Sequence, residues 1–277
     1  MNCTGTQKLP YLSVAIPSCC QSPGDIRIGY VLNALALESE YRFLEQLRIT
    51  IWDEGPVPIV SDRSVQLMID LLVRRGHGVN YLRRQPSQGI AMARQGLLTE
   101  SLTESNGMVL MLDDDLVVEH GAIDRMMEAA HKFPDFGFLQ GTKIEVDPQR
   151  VYHNDINMLN KAQASPDDYP PLYFGDAAFL LVRGQAVKSV RWDIITRYRE
   201  QDMAGEDVAF SLMIADKFTC HGVSRALGYH LSLAHPRWKW EASSDALQVE
   251  LLREVVRPAT LAAALPHLAY AIDAAER

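Results

Sequence analysis

Apolar positions follow two alternating rhythms along the first half of the chain. Compact apolar or β-branched runs alternate with longer stretches whose apolar residues recur at helical spacing. Tyr11–Ile16 predicts a short strand stopped by Pro17, and Ile26–Glu38 a helix with Ile28, Val31, Leu32 and Leu35 on one face. Arg48–Trp52 is a β-branched run ending in Asp53, Glu54 and Gly55. Val65–Val73 predicts an amphipathic helix that stops near Gly76 and Gly78. Val79–Leu82 predicts a third strand, Ile90–Leu102 a helix, Met108–Leu112 a fourth strand and Gly121–His131 another helix. The Met108–Leu112 run is wholly apolar, as a central strand buried on both faces requires.

This β-α-β-α order predicts an α/β fold with a mostly parallel central sheet flanked by helices. Right-handed crossovers place the strands' C-terminal ends on one side, where open α/β sheets bind ligands. The polar residues following each strand are therefore the candidates for chemistry: Ser18, Asp53 and Asp113–Asp115. The second half is less regular. Phe136–Gly141 and Ala177–Val182 predict strands and Asp207–Ala215 a helix, with a long polar, proline-bearing loop at Asp147–Pro171. Ser244 is an expected N-cap for a helix reaching Val256, and Thr260–Ala274 completes a helical C-terminal tail. The expected organisation is one domain over 1–243, divided into two halves at about residue 120, and a helical extension over 244–277.

The 277 residues suffice for a full core without staples. The formal charge is 27 − 35 = −8, which argues against nucleic acid as a partner, since that affinity comes from neutralising phosphates. Cys3, Cys19, Cys20 and Cys220 form no C-x-x-C pair, so reduced thiols and a cytoplasmic chain are expected. No apolar run is long enough for a membrane-spanning helix.

Asp113-Asp114-Asp115 closes the wholly apolar strand. Adjacent like charges at a sheet edge repel, and a hard divalent cation relieves that through carboxylate oxygens. Two enzyme classes fit such a triple: a nucleotide-sugar transferase, and a haloacid-dehalogenase-type phosphatase whose D-x-D-x-[TV] pattern Asp113–Val117 meets. The phosphatase would use Asp113 as nucleophile and Asp115 as general acid, with Thr142 and Lys143 as downstream partners. Its motif normally opens the domain, whereas here residues 1–112 precede it. A scaffold that binds a sugar nucleotide without catalysis is the third reading.

Five segments resemble, in order, a family 2 glycosyltransferase of GT-A fold over roughly residues 11–240: SVAIPSCCQ, ITIWDEG, QPSQGIAMARQGLL, MVLMLDDD, and YFGDAAFLLVRGQAVKSVRWD followed by GEDVAFSLMI. Departures are Cys19 and Cys20 where Tyr and Asn are usual, Gln95 where Asn is usual, and the Gly175-Asp176-Ala177 segment. The resemblance implies an inverting, metal-dependent transferase with a nucleotide-diphosphate sugar donor, a UDP-sugar being expected, and a hydroxyl-bearing acceptor. It implies donor binding by Ser18, Asp53, Arg84, Arg94, Asp113 and Asp114, and Mn²⁺ or Mg²⁺ held by Asp115 with His235. It further implies Asp207 as general base beside Glu206, and acceptor contacts from Asp176 and Trp238. A bland alternative exists for each: Asp53 capping a turn with Gly55, Arg84 and Arg94 in salt bridges, and Glu206-Asp207 as an acidic helix start. The Asp147–Pro171 loop would form an acceptor pocket or lid, and the Ala-rich tail a dimer contact.

Overall fold

The computed structural model describes residues 8–19, 27–38, 40–102, 107–146, 168–200, 206–231 and 253–264, with the backbone alone at 145 and 197–200. His235, Trp238, Ser244 and nearly all of the 147–171 loop lie outside the described residues. Among those described, no helix is long and apolar enough to cross a membrane.

The expected alternation is present. Strand β1 (Leu9–Ser18) leads to helix α1 (Arg27–Leu37), β2 (Leu44–Asp53), α2 (Arg63–Arg74), β3 (Gly78–Arg83), α3 (Ile90–Ser101) and β4 (Met108–Leu112). There follow β5 (Leu116–Val118), α4 (Ala122–Lys132), β6 (Phe136–Glu145), β7 (Phe179–Arg183), α5 (Gly184–Val187), α6 (Trp192–Glu200), α7 (Glu206–Ala215) and β8 (Thr219–His230). The strands form one eight-stranded sheet in the order β3-β2-β1-β4-β7-β6-β8-β5. The β1–β2, β1–β4, β2–β3 and β6–β8 pairings are parallel, while β4–β7, β6–β7 and β5–β8 are antiparallel.

Pro17 does not stop the first strand. Pairing with β2 continues through Pro17↔Trp52 to Ser18↔Asp53. Pairing with β4 ends at Ala15↔Met111, so the proline's missing N–H removes no rung on that side. Strands β5 and β8 and helices α5 and α6 go beyond the elements expected from the pattern.

Each central strand feeds two cores by period-two alternation. Leu12, Val14 and Ile16 of β1 join Ile49, Ile51, Leu110 and Leu112 under α1, α2 and α4. Ala15 joins Trp52, Val109 and Met111 on the opposite face, beneath α3, α6 and α7. Residues 258–264 are helical, and Val256, Leu261 and Ala264 are buried in that second core. Arg257 ties them to the end of α7, its backbone N–H and Nε donating to Asp216 Oδ1 at 3.0 and 2.9 Å.

One buried histidine makes the first core sensitive to pH. His77 Nδ1 accepts the Leu47 N–H at 3.2 Å, and burial together with the Arg75 charge pulls its pKa below the usual value. A lowered imidazole pKa means that its contribution to stability is present above the unfolded value of about 6.5 and is lost as pH falls through the folded one. Protonated Nδ1 cannot accept, so stability should fall by roughly 1–2 kcal/mol on acidification. Urea unfolding of wild type and His77→Gln across pH 5–7.5 checks this: the acid loss should shrink in the variant.

Candidate active site

The sheet order reverses beside β1. Strands β2 and β3 lie on one side of it and β4 on the other, which opens a crevice beyond the carboxyl ends of β1 and β4. Ser18 ends the first of these strands and the triple acid follows the second. They meet there: Ser18 Oγ donates to Asp114 Oδ2 at 2.7 Å.

The triple acid is a tight turn held from three sides. Asp113 N–H donates to Ala178 O at 3.1 Å, and Leu116 N–H to Asp113 O at 3.2 Å. Leu231 N–H donates to Asp115 O at 2.9 Å. Each carboxylate has a distinct electrostatic setting. Burial pushes the Asp113 carboxyl up, with Arg94 opposing. Burial also drives Asp114 up to about 7, against the Ser18 hydrogen bond. Asp115 is buried too, yet the hydrogen bond and charge of His230 and the Arg27 charge hold it below the usual carboxylate range. Its oxygens lie 3.3 Å from His230 Nε2 and 3.6 Å from Arg27 Nη1.

Arg94, 7% exposed, connects this turn to the head of α7. Its Nη2 lies 3.2 Å from Asp113 Oδ1 and its Nη1 pairs with Glu206 Oε1. Burial works against its charge, but the carboxylates of Glu206, Asp113, Asp207 and Asp176 together raise its pKa. Its Nε has no hydrogen-bond partner among the described residues. Asp207 stands at the start of α7, where its Oδ1 accepts its neighbour Val208 N–H at 2.8 Å. Burial, then Glu206 and Asp176, raise Asp207 to about 7. Asp176 behaves oppositely: despite burial, its ion pair with Lys143 and the Ala178 N–H hold it at about 2.

Ser18, Arg94, Asp113, Asp114, Asp115, Asp176, Glu206 and Asp207 are thus linked through hydrogen bonds, ion pairs or mutual charge in one crevice. Asp53 and Arg84 occupy its β2–β3 flank. Asp53 is fully buried and already saturated with donors. Gly55 N–H and Arg83 Nη1 reach Oδ1 at 3.0 and 2.8 Å, and Ile59 N–H and the Tyr81 hydroxyl reach Oδ2 at 3.0 and 2.7 Å. Arg84 lays its guanidinium 4.8 Å from the centre of the Trp52 ring, while the neighbouring Arg83 makes the Asp53 ion pair.

Sequence reasoning missed several contributors. Glu54 accepts from Trp52 Nε1 at 2.9 Å and, through its other oxygen, from Ser87 Oγ, Gln88 N–H and Gly89 N–H at 2.7, 3.0 and 2.9 Å. It thereby fixes the turn that launches α3 and so aims Arg94. Arg27 and Lys143 reach the acids from α1 and β6; no motif marks Arg27, and the sequence offers Lys143 only as a downstream partner of the phosphatase motif. His230, at the end of β8, brings its Nε2 to 3.3 Å from Asp115 Oδ1 and is not among the residues the sequence put forward for the metal site.

The geometry speaks against the phosphatase. An Asp115 held ionised is poorly suited to act as a general acid. Thr142 is fully buried with its hydroxyl turned to Ser224 O at 3.2 Å, and Lys143 is engaged by Asp176.

No family model and no curated protein matches the chain. Solved structures do. The mannosyltransferase PcManGT from Pyrobaculum calidifontis, in complex with GDP-Man and Mn²⁺, is 13% identical with a TM-score of 0.60, covering 98% of this chain and 74% of its own. S. aureus TarS 1–349 is 14% identical with a TM-score of 0.54, covering 81% and 61%. GalNAc-T7 with UDP, GalNAc and Mn²⁺ is 11% identical with a TM-score of 0.54, covering 81% and 44%. The chain therefore spans less than two thirds of the TarS and GalNAc-T7 chains it resembles. These likenesses show the fold: the chain has the GT-A glycosyltransferase fold.

Proposed function

We propose that the chain is an enzyme, a metal-dependent glycosyltransferase that moves a sugar from a nucleotide-diphosphate donor to an acceptor hydroxyl with inversion. The observation that carries this reading is the convergence of the Asp113–Asp115 turn and Asp207 on one crevice through Arg94, in a fold whose solved examples include complexes with UDP or GDP-Man and Mn²⁺.

The donor set fits a divalent cation. Asp113, Asp114, Asp115, Asp176, Glu206 and Asp207 outnumber Arg27, Arg94 and Lys143, so the crevice carries excess negative charge made of hard oxygen donors. Among the described residues, no group of three or more His, Cys, Asp or Glu side chains is set to hold a metal alone. Mg²⁺ shared with substrate phosphates needs only one or two protein carboxylates. Asp115 would hold the cation, whose charge offsets that building on the departing diphosphate.

The chain's own groups do the rest. Asp207 takes the proton from the acceptor hydroxyl as it attacks the anomeric carbon from the face opposite the nucleotide. Arg94 fixes Asp113 and Glu206 relative to one another, so donor and acceptor sides keep their spacing. Asp176 faces the same space and receives a sugar hydroxyl. Asp53, with Tyr81 and Arg83 locked round it, shapes the base-side wall. For Asp53 to accept a hydrogen bond from a nucleotide base, one of its present donors would have to give way. The protein incubated with UDP- or GDP-sugars, Mn²⁺ and simple hydroxyl acceptors should release nucleoside diphosphate, and EDTA should stop it. Proton NMR of the product should show the inverted anomer. Release of inorganic phosphate instead would refute the transferase reading.

A further inference from the structure

Helix α7 opens with Glu206 and Asp207, and its buried residues are apolar with one exception. Ser211 stands among Ala209, Phe210, Leu212, Met213 and Ile214 and is fully buried. A hydroxyl in such a place costs stability unless it is partnered. Its partner comes from outside the helix. Ser211 Oγ accepts the Gly175 N–H at 2.9 Å. Its single proton has two carbonyls in reach, Gly175 O at 3.2 Å and Val208 O at 3.1 Å. The next residue is gripped from the other side. Gln140 of β6, also buried, donates from Nε2 to Asp176 O at 3.0 Å and accepts Asp176 N–H on Oε1 at 2.8 Å. A side chain at Gly175 would meet Gln140 Oε1 and break that grip, so only a bare backbone fits between the two clasps.

These contacts place Asp176 relative to Asp207. Ser211 lies four residues beyond Asp207, on the same face of α7 and about 6 Å along its axis. The turn that Ser211 holds carries Asp176 as its next residue, whose carboxylate pairs with Lys143 and accepts Ala178 N–H at 2.9 Å. We propose that Ser211 is a positioning residue for sugar transfer: with Gln140 it locks the Gly175–Asp176 turn to the helix that carries Asp207, and so sets the spacing between acceptor contact and base. This rests on the roles proposed above for Asp176 and Asp207. Asp207 is oriented by its own helix, where its Oδ1 accepts Val208 N–H at 2.8 Å. Releasing the turn therefore leaves the base in place and displaces the acceptor contact. A misplacement of about 1 Å costs a positioned acceptor up to about 10²-fold in rate. Water attacking the same anomeric carbon needs no such contact.

The test compares wild type with Ser211→Ala and Gln140→Met, using a UDP- or GDP-sugar, Mn²⁺ and a panel of methyl glycosides and glycerol as acceptors. Two products are counted: glycosylated acceptor, and the free sugar formed when water takes the acceptor's place. Ser211→Ala should lower kcat/KM for the acceptor by roughly 10- to 10²-fold, while free-sugar formation and nucleoside diphosphate binding stay near the wild-type values. Amide hydrogen exchange should quicken in residues 172–178 and stay unchanged in the rest of α7, which shows that the turn alone has loosened. Gln140→Met frees the same turn from β6 without touching α7, and should shift the product ratio the same way even if Ser211→Ala does not fold. A product ratio equal to wild type in a folded variant, whether both rates fall or neither does, overturns the proposal and leaves the clasps a purely structural role. Wild type that forms no glycoside would instead refute the transferase reading, and the proposal with it.

Discussion

Asp207→Asn is expected to cut sugar transfer by roughly 10²- to 10⁴-fold, the usual contribution of a positioned general base, while making the folded protein more stable above neutral pH. Both effects follow from one carboxyl. Burial, Glu206 and Asp176 raise its pKa to about 7, so it ionises only where it also serves as a proton acceptor. The stability sign follows from the folded value lying above the unfolded value of about 3.9. The stabilising effect of the neutral acid is complete below the unfolded value and is lost as pH rises through about 7. Asparagine cannot ionise and avoids that loss. At about 1.4 kcal/mol per pKa unit, the variant's advantage should grow by on the order of 2 kcal/mol between pH 5.5 and 8.5. Urea unfolding at the two pH values measures it: the margin over wild type should be clearly larger at the higher pH. In the wild-type enzyme, kcat/KM should rise with pH through an apparent midpoint near 7 and then level off. A variant that loses activity without gaining alkaline stability would place Asp207 outside the buried acidic cluster.

Arg94→Met carries the second large expected effect, in the opposite direction. Arg94 neutralises Asp113 and Glu206, both at least partly buried, and its charge also acts on Asp207 and Asp176. Removing one partner of a buried pair typically costs about 3–5 kcal/mol, because the remaining charges are left unpaired in a poorly hydrated place. Here two carboxylates lose their cation at once. The variant should therefore unfold at markedly lower urea concentration at pH 8 and recover part of the difference at pH 5, where the abandoned carboxylates take up protons. Lys at this position keeps the charge but cannot reach both acids through a planar fork, so Arg94→Lys should fall between the two. A neutral effect of Arg94→Met at pH 8 would show that the acids are already protonated.

The N-terminal half of the fold was legible because its local signals agree with its tertiary setting. The Met108–Leu112 run is buried on both faces, and α3 starts and stops close to where its pattern does. Strand β8 was invisible for a physical reason. Its sequence TCHGVSRALGYH interrupts apolar alternation with Gly222, Ser224 and Arg225, and its pairing with β6 shifts register between Gly141 and Thr142. Gly228 within it stays bare because Leu116 and Phe179 fill the space a side chain would need. Strand β5 has three residues, too few for any periodicity to register.

The site divides the same way. Ser18 and the triple acid could be picked out because they follow strands at the sheet's reversal. Arg27 could not, since a single charged residue in a helix reads as solvated surface until the topology brings it against an acid; Lys143 stood out only beside the phosphatase motif, and Glu54 only as the neighbour of Asp53. Asp53 illustrates the converse. The strand-end rule singled it out, but only the structure shows Tyr81 and Arg83 of the next strand converging on it.

Thermal unfolding with UDP, GDP, TDP and CDP, each with and without Mn²⁺, tests the central claim most directly. A diphosphate present at about 100 times its dissociation constant adds roughly 2.7 kcal/mol, a readily measured upward shift in melting temperature. One nucleoside diphosphate should stabilise the protein strongly, and only when Mn²⁺ is present, because cation and phosphates complete each other's coordination. If no diphosphate shifts the transition while Mg²⁺ with a phosphate mimic does, the transferase account is contradicted and Asp113 becomes the nucleophile to examine.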